Sequence, residues 1–222
     1  MDNKVQLALE ALFNTFSALE NVPAQQELKK MQNLFNGDED FMTKLLIMDK
    51  AFDDSPALDP IREVTFDLLM INFFAEHAKK LDSDYLDSPE WEKIEDETLE
   101  RGTELLNLLL YLRECDDEEI DPSLDDYLKE FLLVEEDEFQ DEHRIYEDVI
   151  AHQILMESNL EEIARVSKSL DEESEIRDLF YPLMAFFFNT EPSDQELKTF
   201  KNLSEDPAFD AAILNMIINY NQ

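Results

Sequence analysis

Glycine is the residue whose scarcity most limits how this chain can fold. Only two of its 222 residues are glycines, Gly37 and Gly102. A β-sheet protein of this size uses glycines in hairpin turns and at bulges, whereas a helix is weakened by them. The sequence therefore predicts an all-α protein with no sheet, whose helices are joined by short turns of Pro, Asp and Ser.

The spacing of apolar residues supports this fold class and predicts about 9–11 helices. Val5, Leu9 and Leu12 recur at the three-to-four-residue interval of one helix face. Similar patterns and turn residues predict helices near 3–20, 25–35, 40–52, 60–80, 88–115, 121 onward, 137–157, 160–169, 172–188, 193–203 and 207–220. Hydrophobic residues make up 44% of the chain, so we expect one domain over residues 1–222, with a soft boundary near 81–88 left open.

Two arrangements of these helices are compatible with the sequence. The tetrapeptide Gln26–Lys29 recurs as Gln195–Lys198, and Leu58, Trp91 and Leu124 are spaced 33 residues apart. A degenerate repeat of α-hairpins has about this period. An irregular multi-helix bundle with short turns also produces such recurring patterns, so both arrangements remain alternatives.

The net charge of −37 is concentrated in the middle of the chain. Residues 81–148 carry 27 acidic and 5 basic side chains, a net charge of −22, whereas solubility of a small domain needs a net charge of only about 2–8. The acidic residues that we predict to bind a partner are Asp116, Asp117, Glu118, Glu119, Asp121, Asp125, Asp126, Glu135, Glu136, Asp137, Glu138, Asp141 and Glu142.

Apolar side chains interrupt this acidic segment, which distinguishes it from an acidic tail. They are Leu124, Tyr127, Leu128, Phe131, Leu132, Val134, Phe139, Ile145 and Tyr146. Such residues can pack the segment on a core while the carboxylates face solvent. We therefore expect a shaped acidic surface.

The charge also limits the kinds of partner. Phosphate binding needs Lys and Arg, so a direct nucleic-acid contact is excluded, and anionic membranes repel the chain. A basic protein, including a nucleic-acid-binding protein, is attracted instead. Only one cysteine, Cys115, is present, and neither a signal sequence nor an apolar run long enough to span a bilayer is seen, which predicts a cytoplasmic protein.

No combination of residues predicts catalysis, a metal site or a cofactor. The chain lacks a glycine-rich phosphate loop and a nucleophile elbow. Acidic neighbours should raise the pKa of Cys115 and keep the thiol unreactive. His143 with Glu147, and Asp148 with His152, are four residues apart and could share a metal, but ordinary pairing on a helix surface is the favoured interpretation. His77, close to two phenylalanines in the sequence, is expected to be a packing residue.

These features favour a non-enzymatic acidic module that binds a basic partner, as an inhibitor, an immunity protein or a DNA mimic. The alternative is an α-repeat adaptor or chaperone with an apolar groove near Phe186–Phe188, although we expect these aromatic residues to pack against neighbouring helices. An enzyme ranks lowest. Adaptation to a salty environment is a fourth hypothesis, which the concentration of charge in one third of the chain disfavours.

Overall fold

The computed structural model describes residues 1–77, 88–98, 101, 104–131 and 145–222, and the regular structure in them is entirely helical. The α-helices are α1 (Asn3–Glu20), α2 (Gln25–Asn36), α3 (Phe41–Asp53), α4 (Arg62–His77), α5 (Pro89–Thr98), α6 (Glu104–Glu118), α7 (Leu124–Phe131), α8 (145–151), α9 (Leu160–Ser167), α10 (Arg177–Phe188), α11 (Asp194–Leu203) and α12 (Pro207–Tyr220). Pro56–Ile61 and Gln153–Glu157 are short 3₁₀ helices. The predicted all-α class is confirmed.

Several helices begin at short polar residues that satisfy the free N–H groups of the first turn. The Asp40 carboxylate accepts from the N–H of Thr43 at 3.0 Å, and Ser88 Oγ accepts from the N–H of Trp91 at 3.2 Å. Ser193 forms a reciprocal capping box with Glu196 at the start of α11. These local signals explain why many predicted helix starts agree with the structure.

The predicted continuous helix over 88–115 is wrong, because the chain bends at Arg101 between α5 and α6. The Arg101 guanidinium contacts the Asp49 carboxylate at 2.5 and 2.6 Å and lies 3.4 Å from Glu63. It also lies over the Phe66 ring, 4.8 Å from the centroid. Arg101 thus lies outside the helices and contacts α3 and α4. The next residue in the sequence is Gly102, and glycine is a poor helix former.

The two terminal helices pack against each other in the core. The contact between α1 and α12 is the largest between any two helices in the described part of the chain. Leu9 and Leu12 of α1, and Ile213 and Ile217 of α12, are completely buried. In an open solenoid each repeat contacts only its neighbours. Contact between the first and last helices therefore excludes an open solenoid and favours the irregular bundle.

The residues that suggested a 33-residue repeat do not occupy equivalent positions. Leu58 lies in a 3₁₀ helix, whereas Trp91 and Leu124 lie in the first turns of α5 and α7. The repeated tetrapeptide does begin α2 and α11, but Leu28 is buried and Leu197 is half-buried. The recurring sequence patterns therefore reflect similar helix starts and not a repeated packing unit. Most of the predicted soft boundary, residues 81–87, lies outside the described residues.

The aromatic segment of α10 belongs mainly to the core. Tyr181, Met184 and Phe186 are buried, and Phe187 and Phe188 are half-buried. The Phe187 ring stacks on Tyr127 with 5.4 Å between centroids. The expectation that this segment packs against neighbouring helices is confirmed. Among the described residues, no helix has the length and apolar character needed to cross a bilayer.

Candidate functional site: an acidic corner

Seven of the thirteen predicted carboxylates lie where α6 ends and α7 begins. We name this group the acidic corner; it consists of Asp116, Asp117, Glu118, Glu119, Asp121, Asp125 and Asp126, all of them exposed. The remaining six, Glu135, Glu136, Asp137, Glu138, Asp141 and Glu142, lie outside the described residues. The structure therefore locates about half of the predicted surface.

A tight turn directs the chain from α6 into the corner. Glu119 has a φ of 56°, in the left-handed region. The N–H of Ile120 donates to the carbonyl of Cys115 at 2.9 Å, and the N–H of Glu119 donates to the carbonyl of Asp116 at 3.2 Å. This pair of bonds is a Schellman motif, in which glycine usually occupies the position of Glu119. The turn fixes the backbone in the middle of the carboxylate group.

The far side of the turn is attached to α6 by Tyr111. Its hydroxyl accepts from the N–H of Ser123 at 3.0 Å and donates to the Ser123 carbonyl at 3.1 Å. Ser123 Oγ in turn accepts from the N–H of Asp126 at 3.2 Å and caps α7. Backbone and side-chain hydrogen bonds therefore hold residues 119–123 at both ends.

Apolar residues of α7 pack the corner onto the core, as the interrupted acidic pattern predicts. Leu124, Tyr127 and Leu128 are 4%, 1% and 4% exposed. The Tyr127 ring lies 5.3 Å from Tyr111 and 5.7 Å, edge-on, from Tyr146. Together with Phe187 these rings form one aromatic cluster beneath the corner. Among the other predicted anchors, the side chains of residues 131, 132, 134 and 139 lie outside the described residues.

Basic residues neutralise only part of the corner. Lys129 Nζ lies 2.8 Å from the carboxylates of both Asp125 and Asp126, which raises the pKa of Lys129 and lowers that of Asp126. Lys4 lies 3.3 Å from Asp116. Within the described residues, the other four carboxylates form no ion pair. These four define the unpaired face of the corner.

The end of α6 is an unfavourable place for these charges. A helix carries partial negative charge at its C-terminus, so each carboxylate there is destabilising by about 0.3–1 kcal/mol when exposed at low salt. The last turn of α6 contains Asp116, Asp117 and Glu118 and no basic residue. Neighbouring like charges repel as well. Folding stability therefore does not account for this placement.

The cysteine and histidine predictions have different outcomes. Cys115 is buried, and burial, with smaller effects of Glu114 and Asp126, raises the pKa of its thiol. The predicted direction is confirmed, although burial is the leading cause. The predicted pairing of His152 with the Asp148 carboxylate is wrong. His152 Nδ1 lies 2.7 Å from the Asp148 backbone carbonyl, while that carboxylate accepts from Ser174 Oγ at 2.5 Å.

Asp148 and His152 therefore share no carboxylate–imidazole site. His143 and the side chain of His77 lie outside the described residues. In the described part of the chain, no group of three His, Cys, Asp or Glu side chains is arranged to hold a metal ion.

One unusual carboxyl group, that of Asp210 on α12, was not predicted from the sequence. It is 7% exposed and accepts a hydrogen bond from Ser204 Oγ at 2.6 Å. Burial, assisted by the nearby carboxylates of Asp206 and Asp178, raises its pKa from 3.8 to about 7. The signal in the sequence is that Asp210 is the single carboxylate of α12 and has Ala208, Phe209, Ala211 and Ala212 around it.

Comparison with known proteins adds no relative. The chain has no significant match among protein-family models, curated protein sequences or solved structures. The function of this chain is therefore inferred from its own residues and geometry.

Replacing Glu119 by glycine should stabilise the protein. A left-handed backbone is unfavourable by about 1–2 kcal/mol for a residue with a Cβ, and part of this gain is lost to the greater freedom of glycine in the unfolded chain. Glu119→Gly should therefore exceed Glu119→Gln in unfolding free energy by about 1 kcal/mol. The glutamine variant removes the same charge and keeps the side chain. Urea denaturation that finds the two variants equally stable would contradict the assignment of strain at this turn.

Proposed function

We propose that this protein is a non-enzymatic acidic binding module, and that its acidic corner engages a basic partner protein. Inhibitors, immunity proteins and DNA mimics act in this way, and a nucleic-acid-binding protein is the kind of partner that fits. The observation that carries the proposal is the unpaired face of the corner. Exposed carboxylates there stand on a turn and a helix that are attached to the core by hydrogen bonds and buried aromatic rings.

The energetics of the corner support a role in recognition. The charges of Asp116, Asp117 and Glu118 oppose the dipole of α6 and repel one another, so these three make the free protein less stable. A cationic surface that covers the corner relieves both effects. Long-range attraction from a chain of net charge −37 also accelerates the encounter with a basic protein at low salt.

The alternative, an apolar groove that holds a peptide, has less support. Its expected aromatic residues are largely buried in the core, where Phe186 is completely buried and Phe187 stacks on Tyr127. No catalytic residue, metal or cofactor forms part of the proposal. A cytoplasmic location is in keeping with a single buried cysteine, which has no partner for an intrachain disulfide.

The proposal is tested with two variants of equal charge. The corner variant carries Asp117→Asn, Glu118→Gln, Glu119→Gln and Asp121→Asn. The control variant neutralises four other exposed carboxylates, those of Glu20, Asp38, Glu39 and Asp54. Immobilised wild-type protein and both variants are exposed to host lysate at low salt, bound proteins are eluted with a salt gradient, and affinities are measured with the purified partner.

The wild type and the control variant should retain the same basic protein and release it at moderate salt. The corner variant should bind it about 10- to 100-fold more weakly, since each exposed charge pair contributes about 0.2–1 kcal/mol. Displacement by duplex DNA would identify a nucleic-acid-binding partner. Equal binding by both variants, or a complex that persists at high salt, would overturn the proposal.

A further inference from the structure

A cavity of about 310 Å³ opens where the ends of four helices meet, separate from the acidic corner. The C-terminal ends of α9 and α11 and the N-terminal ends of α10 and α12 surround it. Its volume is at the lower end of the range of small-molecule sites, about 300–1,000 Å³. It can therefore receive a small ligand or one side chain of another protein.

The walls of this cavity combine apolar and acidic groups. Ala164, Leu203 and the aromatic rings of Tyr181 and Phe209 supply apolar surface. The acidic groups are Asp178, Glu205, Asp206 and Asp210, of which the first three are exposed at the rim and Asp210 is buried. An apolar wall next to a buried carboxyl group suits a ligand with an alkyl stem and a cationic end.

Asp210 has an oxygen atom available to such a ligand. Ser204 Oγ donates to its Oδ2, and within the described residues Oδ1 accepts no hydrogen bond. The carboxyl group is more than nine-tenths buried and forms part of the cavity lining. A buried carboxylate without a cationic partner is unfavourable unless it is neutralised. A bound cation would supply both the missing charge and the missing hydrogen-bond donor.

The two basic residues of the lining do not supply this charge to Asp210. Lys168 is exposed at the end of α9, and Arg177 donates to the backbone carbonyl of Leu170 at 3.4 Å. The carboxylates of Asp206 and Asp178 oppose ionisation of Asp210, and no basic residue is among the main influences on it. Four carboxylates against two cations also make the cavity a poor site for an anion.

We propose that this cavity binds an amphipathic organic cation, a guanidinium or primary ammonium group on a short alkyl stem. The cationic end pairs with Asp210, and the stem packs between the rings of Tyr181 and Phe209 and the side chain of Leu203. Such a group occurs in free alkylamines and guanidines and in the Arg and Lys side chains of another protein. The site does not depend on the function proposed for the acidic corner.

Butylguanidinium is a suitable probe, and butylurea is its neutral counterpart of nearly the same shape. In a titration of ¹⁵N-labelled protein at pH 8, butylguanidinium should shift amide signals around Ser204 and Asp210 with a dissociation constant on the order of 1 mM. Asp210→Asn, which keeps the acceptor for Ser204, should weaken this binding about 10- to 100-fold. Asp54→Asn removes an equal charge elsewhere and should bind as the wild type does.

The source of the cation is distinguished with N-acetyl-arginine-N′-methylamide. Binding as tight as that of butylguanidinium would indicate the side chain of a partner protein, and binding of butylguanidinium alone would indicate a free small molecule. Equal shifts with butylurea, shifts distributed over the acidic surface, or undiminished binding by Asp210→Asn would overturn the proposal. The comparison of butylguanidinium with butylurea uses the wild type and so does not depend on how well a variant folds.

Discussion

Replacing Asp210 by asparagine should make the protein more stable at pH 8, by as much as about 4 kcal/mol. In the native state burial raises the pKa of this carboxyl group to about 7, against an ordinary value of 3.8. Each pKa unit corresponds to about 1.36 kcal/mol, so the ionised group is destabilising by this amount above pH 7. Asparagine has nearly the same shape and no charge, and it keeps an acceptor for Ser204 Oγ.

The effect of pH follows from proton binding. Between about pH 4 and pH 7 the native state holds the Asp210 proton while the unfolded state releases it, so the stability of the wild type falls as pH rises through this interval. The wild type and Asp210→Asn should therefore have similar free energies of unfolding near pH 4 and show the full difference at pH 8. Urea denaturation at both pH values and constant ionic strength measures this difference.

Asp54→Asn is the matched control, because it removes an equal charge from an exposed position. It reports how much stability is gained simply by reducing the net charge of −37. The raised pKa of Asp210 is contradicted if Asp210→Asn increases the free energy of unfolding at pH 8 by no more than this control does. It is also contradicted if Asp210→Asn increases the free energy of unfolding as much at pH 4 as at pH 8. A stabilised Asp210→Asn would also show that any loss of cation binding by this variant is not caused by unfolding.

Helix positions were predictable where the signals are local. The predicted ranges 3–20 and 207–220 coincide with α1 and α12. Ser88 followed by Pro89, and Ser193 followed three residues later by Glu196, identify helix starts because a cap involves only neighbouring residues. Arg101 shows the opposite case. Its contacts outside the helix are with Asp49 and Glu63, which are distant in sequence, so periodicity alone predicts one uninterrupted helix.

The burial of individual carboxylates was not predicted, because the net charge of a segment does not show which of its side chains face the core. Asp67 on α4 is 2% exposed, and burial raises its pKa well above the usual range, with Glu104 and Glu63 as lesser causes. Its Oδ1 has no hydrogen-bond partner in the part of the chain that the structure describes. Asp67 and Asp210 each lie among apolar residues, between Phe66 and Leu68 on α4 and between Phe209 and Ala211 on α12. A helix that is apolar on most sides is buried, and a carboxylate in its middle is buried with it.

The acidic corner was predictable in composition but not in geometry. Charge density identified Asp116 to Glu119, and the interrupting Tyr127 indicated that the segment packs on a core. The left-handed turn at Glu119 and the two hydrogen bonds of the Tyr111 hydroxyl were not visible, since glycine is absent from the turn and Tyr111 belongs to another helix. Those two features determine how the carboxylates are presented.

Replacing Tyr127 by alanine should separate the shape of the corner from its charge. The Tyr127 ring is 1% exposed and contacts Tyr111, Tyr146 and Phe187. Removing a buried aromatic ring destabilises a protein by about 3–5 kcal/mol. α7 has only 8 residues, and so short a helix is not stable without tertiary packing. Hydrogen exchange should therefore show lost protection in α7, while every carboxylate of the corner is retained.

Binding of the basic partner then distinguishes two mechanisms. If the corner acts as a shaped surface, Tyr127→Ala binds more weakly despite its unchanged charge, because the ordering of α7 must be supplied by binding energy. Phe52→Ala, which removes a 2%-exposed ring from α3, should be comparably destabilised and yet bind normally. Unchanged affinity of Tyr127→Ala together with lost protection of α7 would mean that charge density alone attracts the partner. In that case the fold serves only to hold the carboxylates at high local concentration, and their arrangement on α6 and α7 carries no specificity.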